Sequence, residues 1–249
     1  MDDGLILAAE SISKAFGRYT VLRNAGWWIR RGEITFLVGR NGAGKSTILN
    51  ISCGLMKADT GVIIFLGERL LRPRLHYLAG RGLFFAPQDP LLARSAKIRD
   101  HFNLIVKRFP DHRFEEAVEL LSVDDFLDYP LHELSTGMRR RIDLALAFSR
   151  NPTCLIADEP IVGINPTDQS IVLDAFRRIA KTGVGIGVTG HDVNTLLPMA
   201  DSIVWMTAGT THALGSPDKA LMHDQFVAEY LGIATADRLK EGCGWLSRL

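Results

Sequence analysis

Short apolar runs rich in β-branched residues recur along the chain, and several alternate with stretches whose apolar residues fall at helical spacing. Runs at 4–11, 19–30, 34–38, 62–66, 83–86, 154–158, 185–189 and 202–206 predict strands, because each is short, largely apolar and bounded by polar or turn-forming residues. The earliest runs lie too close together to hold helices between them. Their spacing predicts a small antiparallel sheet before residue 33, leading into a parallel core whose strands are joined through helices. From 91 to 150 the pattern changes to helical stretches broken by Pro110 and Pro130, with no strand-like run. No internal repeat, low-complexity tract or Gly/Ser linker divides the chain. One α/β domain is therefore predicted, with its core at about 1–90 and 151–249, a helical subdomain inserted at about 91–150, and a peripheral end at 240–249.

Composition narrows the classes of function. The 249 residues carry 29 Lys and Arg against 28 Asp and Glu, a formal net charge of +1, which argues against a dedicated nucleic-acid binder and predicts no nucleic-acid partner. With 47% hydrophobic and 23% charged residues, intrinsic disorder is excluded. No run approaches the roughly 18–20 apolar residues that a spanning helix needs, and the first residues carry acids where a secretory signal carries Lys or Arg, so a cytosolic location is expected. Cys53, Cys154 and Cys243 are odd in number and far apart, which predicts reduced structural thiols rather than a disulfide framework or a zinc site.

The sharpest local pattern is GRNGAGKST at 39–47, which satisfies G-x-x-x-x-G-K-[ST] through Gly39, Gly44, Lys45 and Ser46. Gly39, Gly42 and Gly44 let the backbone close in on polyphosphate oxygens so that its N–H groups can wrap them. Lys45 adds a charge near the β and γ phosphates, and the Ser46 hydroxyl can ligate magnesium. The context agrees: ITFLV reads as a strand entering the loop and KSTILNISCGL as a helix leaving it, its positive dipole end toward the anion. Nucleoside triphosphate binding follows, but kinases, GTPases, motors and transport ATPases share this loop.

A second element supplies acids. CLIADEP at 154–160 is an apolar strand ending in Asp158 and Glu159. A carboxylate at that edge, beside a phosphate loop, can hold magnesium, which suits Asp158, and Glu159 is then placed to orient or deprotonate an attacking water. His191 follows the strand-like GIGVTG, where an imidazole can bond a γ-phosphate and hold the water and Glu159 in register. The other six histidines lack such a setting.

With LSTGMRRRIDLALAF at 134–148 the chain resembles the ATP-binding cassette (ABC) ATPase family. Phosphate loop, the glutamine of FAPQDP, an LSGGQ-like segment, an apolar strand with Asp-Glu, and a strand-end His occur in that family's order over essentially the whole chain. The resemblance implies a P-loop NTPase core with a small N-terminal antiparallel β subdomain and an inserted helical subdomain, and ATP with Mg2+ as cofactors. It implies that Gly39, Asn41, Gly42, Ala43, Gly44, Lys45, Ser46 and Thr47 form a Walker A loop, and that Asp158 and Glu159 are the Walker B aspartate and catalytic glutamate. Gln88 matches the glutamine that reaches magnesium and the attacking water, His191 the switch histidine, and Phe16 the aromatic that stacks on adenine. Ser135 or Thr136 can cap a helix beginning near Gly137, presenting N–H groups and a hydroxyl to an anion. In the family that anion is the γ-phosphate held by a second subunit, so Ser135 and Gly137 would complete a site in trans. Two departures stand out: LSGGQ is LSTGM here, with Thr136 and Met138 replacing Gly and Gln, and Asn165 stands where Asp is usual. The basic run at 139–141 reads as a helix face toward phosphate or solvent.

The resemblance implies the ATPase subunit of a membrane transporter, peripheral on the cytosolic face. Its partners would be a second copy or a paralogous ABC subunit, and an integral membrane subunit that docks near residues 89–109. A soluble ABC ATPase driving protein or iron–sulfur cluster assembly is the alternative. A nucleotide-gated clamp without catalysis would lack the acid that Glu159 supplies. Hints of direction conflict: LSTGMRRR resembles exporter-associated cassettes, whereas FVAEYLG resembles those of lipopolysaccharide transport and branched-chain amino acid uptake.

Overall fold

A computed structural model describes residues 4–88 and 92–242. The strands are β1 (Leu5–Phe16), β2 (Tyr19–Arg30), β3 (Ile34–Gly39), β4 (Thr60–Phe65), β5 (Glu68–Leu70), β6 (Leu83–Ala86), β7 (Cys154–Ala157), β8 (Gly185–Gly190), β9 (Ser202–Thr207) and β10 (Thr210–Gly215). The longer helices are α1 (Lys45–Ser52), α2 (Leu75–Gly80), α3 (Ile98–Arg108), α4 (Phe114–Leu121), α5 (Thr136–Ser149) and α6 (Pro166–Lys181). Short helices α7 (Val193–Leu196), α8 (Pro217–Leu221) and α9 (Asp224–Phe226) precede α10 (Ile233–Gly242). Among the described residues no helix is long and apolar enough to cross a membrane.

Two sheets form the frame. The larger, in the order β10-β9-β3-β8-β7-β6, is parallel except for β10 at one edge. Every residue of β3 is buried. Alternation along that strand turns Ile34, Phe36 and Val38 into a core shared with α3–α6, and Leu37 into a second core with Ile48 and Leu49 of α1 and Trp27 and Ile29 of β2. Burial on both faces explains why β3 and β7 read as nearly continuous apolar runs, interrupted only by Thr35. The Trp27 indole donates to Ser52 Oγ at 2.9 Å, tying α1 to the smaller sheet.

That smaller sheet is antiparallel, in the order β2-β1-β4-β5. It extends past the predicted limit of residue 33, because the chain returns after α1 to pair β4 with the free edge of β1 and satisfy its backbone groups. β1 also runs beyond the predicted 4–11 to Phe16. Its register shifts between Ala9 and Ile12, where Ser11 has φ 54°, and that bulge breaks the alternation on which the shorter reading rested. β5 and β10 escape the sequence pattern because both are edge strands with little apolar content, and β5 has only three residues.

Between β6 and β7 come α3, α4 and α5. Pro110 follows the end of α3, and Pro130 leads into a single 3-10 turn at Leu131–Glu133. α5 is buried on nearly all sides, so Ile142, Leu146 and Phe148 carry the core from these helices to the sheet. Cys53 and Cys154 are buried free thiols whose pKa values burial pushes up. Cys243 and the remainder of 243–249 lie outside the described residues, as do positions 89–91 of the proposed membrane-subunit surface. From 240 to 242 the chain still belongs to α10.

Candidate active site

The loop at 39–47 joins the C-terminal end of β3 to α1. Gly44 caps α1 with φ 110°, and a Cβ there would stand 2.8 Å from Leu22 Cδ2, so the position requires glycine on two counts. Against the loop lies a cavity of about 530 Å3, within the range of small-molecule sites. Asn41, Gly42, Gly44, Lys45, Ser46 and Thr47 line it from the loop; Gln88, Glu159 and His191 line it from the ends of three other segments. Val21 and Val162 add apolar surface.

Lys45 is buried, donating to Gly39 O at 2.8 Å and Arg40 O at 3.3 Å, and its ammonium stands 3.7 Å from Glu159 Oε1. Glu159 Oε2 lies 2.9 Å from His191 Nδ1, so a proton on that nitrogen is shared with the carboxylate. Glu159 itself is buried and has φ 50°, a left-handed conformation uncommon for a residue with a Cβ. Asp158 is buried beside it and accepts from the Thr189 hydroxyl at 2.5 Å, and the same Oγ1 accepts from the Glu159 N–H at 3.0 Å.

The backbone of Gln88 is anchored from α5. Arg140 donates to Pro87 O at 2.8 Å and also to Gln88 O. The basic run predicted to face phosphate or solvent therefore points largely inward: Arg140 and Arg141 are buried, the latter 3.0 Å from Asp168 Oδ1, while Arg139 donates to Leu134 O at 2.8 Å. Helical spacing turns consecutive residues to different sides, and the carbonyls of 87–88 and the Asp168 carboxylate give the two buried guanidinium groups partners.

Several predicted residues lie apart from the cavity. Ser135 caps α5, accepting from Met138 N at 3.2 Å, and with Gly137 it is outside the cavity lining. A Cβ on Gly137 would lie 2.7 Å from Asp168 Cγ, so this start of α5 admits only glycine without displacing Asp168. Asn165 is engaged within the chain, capping α6 through Asp168 N at 2.9 Å and donating to Asp168 Oδ2 at 2.7 Å. Phe16 is 45% exposed beside Tyr19 at the β1–β2 turn and does not line the cavity, nor do Gly39 and Ala43. Thr189, Arg140, Val21 and Val162 were missed by motif reading. The polar Thr in the otherwise apolar and glycine-rich GIGVTG run was the one visible signal among them.

A phosphate-loop strand inside a parallel sheet, an antiparallel sheet packed over α1, and two acids at the end of a neighbouring strand define an ATP-binding cassette. The sequence matches the ABC transporter family over residues 22–162, more than half of the chain, and the chain belongs to that family. It is a nucleotide-binding ABC ATPase domain. Over 234 residues it is 29% identical to the lipopolysaccharide export system ATP-binding protein LptB of Haemophilus influenzae, covering 91% of this chain and 97% of that one. It is 27% identical over 245 residues to the probable branched-chain amino acid transport ATP-binding protein LivG of Archaeoglobus fulgidus, covering 91% and 95%. Among solved structures, a nucleotide-free ATP-binding cassette from an ABC transporter superposes with TM-score 0.79 at 23% identity, over 92% of this chain and 99% of that one, a likeness of fold. The cbiO1 protein of Clostridium perfringens, part of an ABC transporter complex, gives TM-score 0.77 at 25% identity over 96% and 100%.

Proposed function

We propose that this chain is the ATP-hydrolysing subunit of an ABC membrane transporter, closing head to tail with a second cassette around two MgATP to drive a separate membrane subunit. The observation that carries the reading is the meeting of Lys45, Glu159 and His191 at the cavity of the phosphate loop. Lys45 is placed to leave its carbonyl partners and Glu159 for the β and γ phosphates, exchanging one set of oxygens for another. Freed from the lysine, the Glu159 carboxylate accepts a proton from, or orients, the attacking water, and His191 steadies that carboxylate from its other oxygen.

The donor set suits Mg2+. Ser46 and Gln88 at the cavity and Asp158 behind it offer hard oxygen atoms, and among the described residues no group of three or more His, Cys, Asp and Glu forms a dedicated metal cage. Mg2+ commonly takes one or two carboxylates and completes its shell with water and substrate phosphates. Held by these residues, Mg2+ would supply charge neutralisation for the phosphates.

A single cassette, with a core at about 1–90 and 151–249 and a helical subdomain at about 91–150, would work on the cytosolic face. Phe16 would lie against adenine, with the loop from Gly39 to Thr47 around the phosphates. Ser135 and Gly137 would serve the site of the opposing cassette, which accounts for their distance from this chain's own cavity. The relatives named above are transporter proteins, which favours a membrane partner over a soluble assembly scaffold. Glu159→Gln tests the reading: the variant binds MgATP, loses turnover and accumulates as a nucleotide-bound dimer on size exclusion. Wild-type turnover in that variant overturns the assignment.

A further inference from the structure

We propose that Thr189 is a positioning residue for hydrolysis, one hydroxyl that sets both acids of the site at once. The inference rests on the reading of Asp158 and Glu159 given above. It starts from the register of the sheet. Ala157 of β7 stands opposite Val188 of β8, so the next step along both strands brings Asp158 beside Thr189. Both side chains then turn away from the core that holds Ala157 and Val188.

Thr189 has no measurable exposure. Its hydroxyl donates to Asp158 Oδ1 at 2.5 Å, the short distance of a charge-assisted bond, and accepts the Glu159 N–H at 3.0 Å. The first bond fixes the rotation of the Asp158 carboxylate and leaves its other oxygen for a further ligand. The second acts on the backbone. Glu159 sits at φ 50°, a conformation that persists in a non-glycine residue only where its surroundings over-determine it. Thr189 supplies that constraint by capturing the N–H of the strained residue. With φ held there, the Glu159 carboxylate reaches both Lys45 and His191. Without it, relaxation of the backbone toward negative φ swings the carboxylate off the cavity. The hydroxyl is suited to the task because one oxygen both donates and accepts.

The test uses the full chain with Thr189→Val, Thr189→Ala and Thr189→Ser, measuring steady-state ATPase activity and ATP binding by titration calorimetry with and without Mg2+. Losing a hydrogen bond to a charged group predicts a fall in kcat of about 10- to 100-fold for the Val and Ala variants, with the KM for ATP changed by no more than about 3-fold. Ser, which retains the hydroxyl, recovers most of that loss. Binding separates the two acids: the Val and Ala variants keep metal-free ATP affinity but need a higher Mg2+ concentration before Mg2+ tightens ATP binding, the limit on KM applying at saturating Mg2+. Should Val disturb folding, the comparison of Ala with Ser isolates the hydroxyl, since both lack the methyl group at that position. Wild-type kcat in Val and Ala, an equal loss in Ser and Ala, or a rise in KM with kcat unchanged would each overturn the proposal. Glu159→Gln measured in parallel distinguishes the failures. If that variant is inactive while Thr189→Ala is not, only the positioning role falls; if it turns over normally, the site assignment falls with it.

Discussion

Asp143→Asn should make the protein more stable at alkaline pH while changing little in acid. Asp143 is buried on α5, 3.8 Å from Arg140, and its Oδ2 has no hydrogen-bond partner. Burial pushes the carboxyl pKa up to about 7 from its ordinary 3.8, with Arg140 pulling the other way. Arg140 gives Asp143 only part of its field, because its guanidinium also serves the carbonyls of Pro87 and Gln88. In the unfolded chain the carboxyl titrates near its ordinary value, so between about pH 4 and 7 the folded state holds a proton that the unfolded state has lost. The contribution to stability is therefore full below the unfolded pKa, declines as pH rises, and is lost above about 7. Each pH unit in that window is worth about 1.4 kcal/mol, so roughly 3 kcal/mol is lost between about pH 5 and pH 8. Asn does not ionise, and the difference between variant and wild type isolates this carboxyl from every other titrating group. For a chain of this length it should widen in favour of Asn by about 6–12 °C in melting temperature over the same range. Thermal melts of both proteins at pH 5, 6, 7 and 8 measure it. Melting curves whose separation stays constant across pH would refute the reasoning.

Two further variants probe the phosphate loop and the start of α5. Lys45→Ala removes the buried cation that faces the cavity and should weaken ATP binding about 10- to 100-fold, the worth of a charge-assisted hydrogen bond; unchanged affinity in a calorimetric titration contradicts the phosphate role. Gly137→Ala drives a methyl group against the Asp168 carboxyl, which is held by Arg141 and Asn165, and should cost about 2–4 kcal/mol, or about 4–16 °C in melting temperature. A melt within a degree or so of wild type shows that Asp168 moves aside freely.

Much of the site was legible because the relevant residues lie within single short segments. Gly39, Gly44, Lys45 and Ser46 occur within eight positions, and Asp158 and Glu159 are adjacent, so spacing along the chain alone displays their chemistry. The parallel strands were legible for a related reason, since β3 and β7 are buried on both faces and are apolar but for Thr35. The bonds that hold the geometry of the candidate site are of another kind. Thr189 reaches Asp158 across 31 positions and Arg140 reaches Gln88 across 52, and each is an ordinary residue in its own segment. Local pattern misled at Arg139–Arg141, where three like charges suggest a solvated face. Two of them are instead satisfied by partners that only the fold supplies. The same distinction explains the two roles of α5. Its first residues carry a pattern that a sequence displays, while Arg140, one turn further on, grips the backbone of Gln88 at the cavity. A displacement of α5 relative to the sheet must therefore drag the backbone at Gln88 or break two partly buried hydrogen bonds. That mechanical link joins the segment proposed to meet the opposing cassette to the glutamine beside this chain's own phosphate loop.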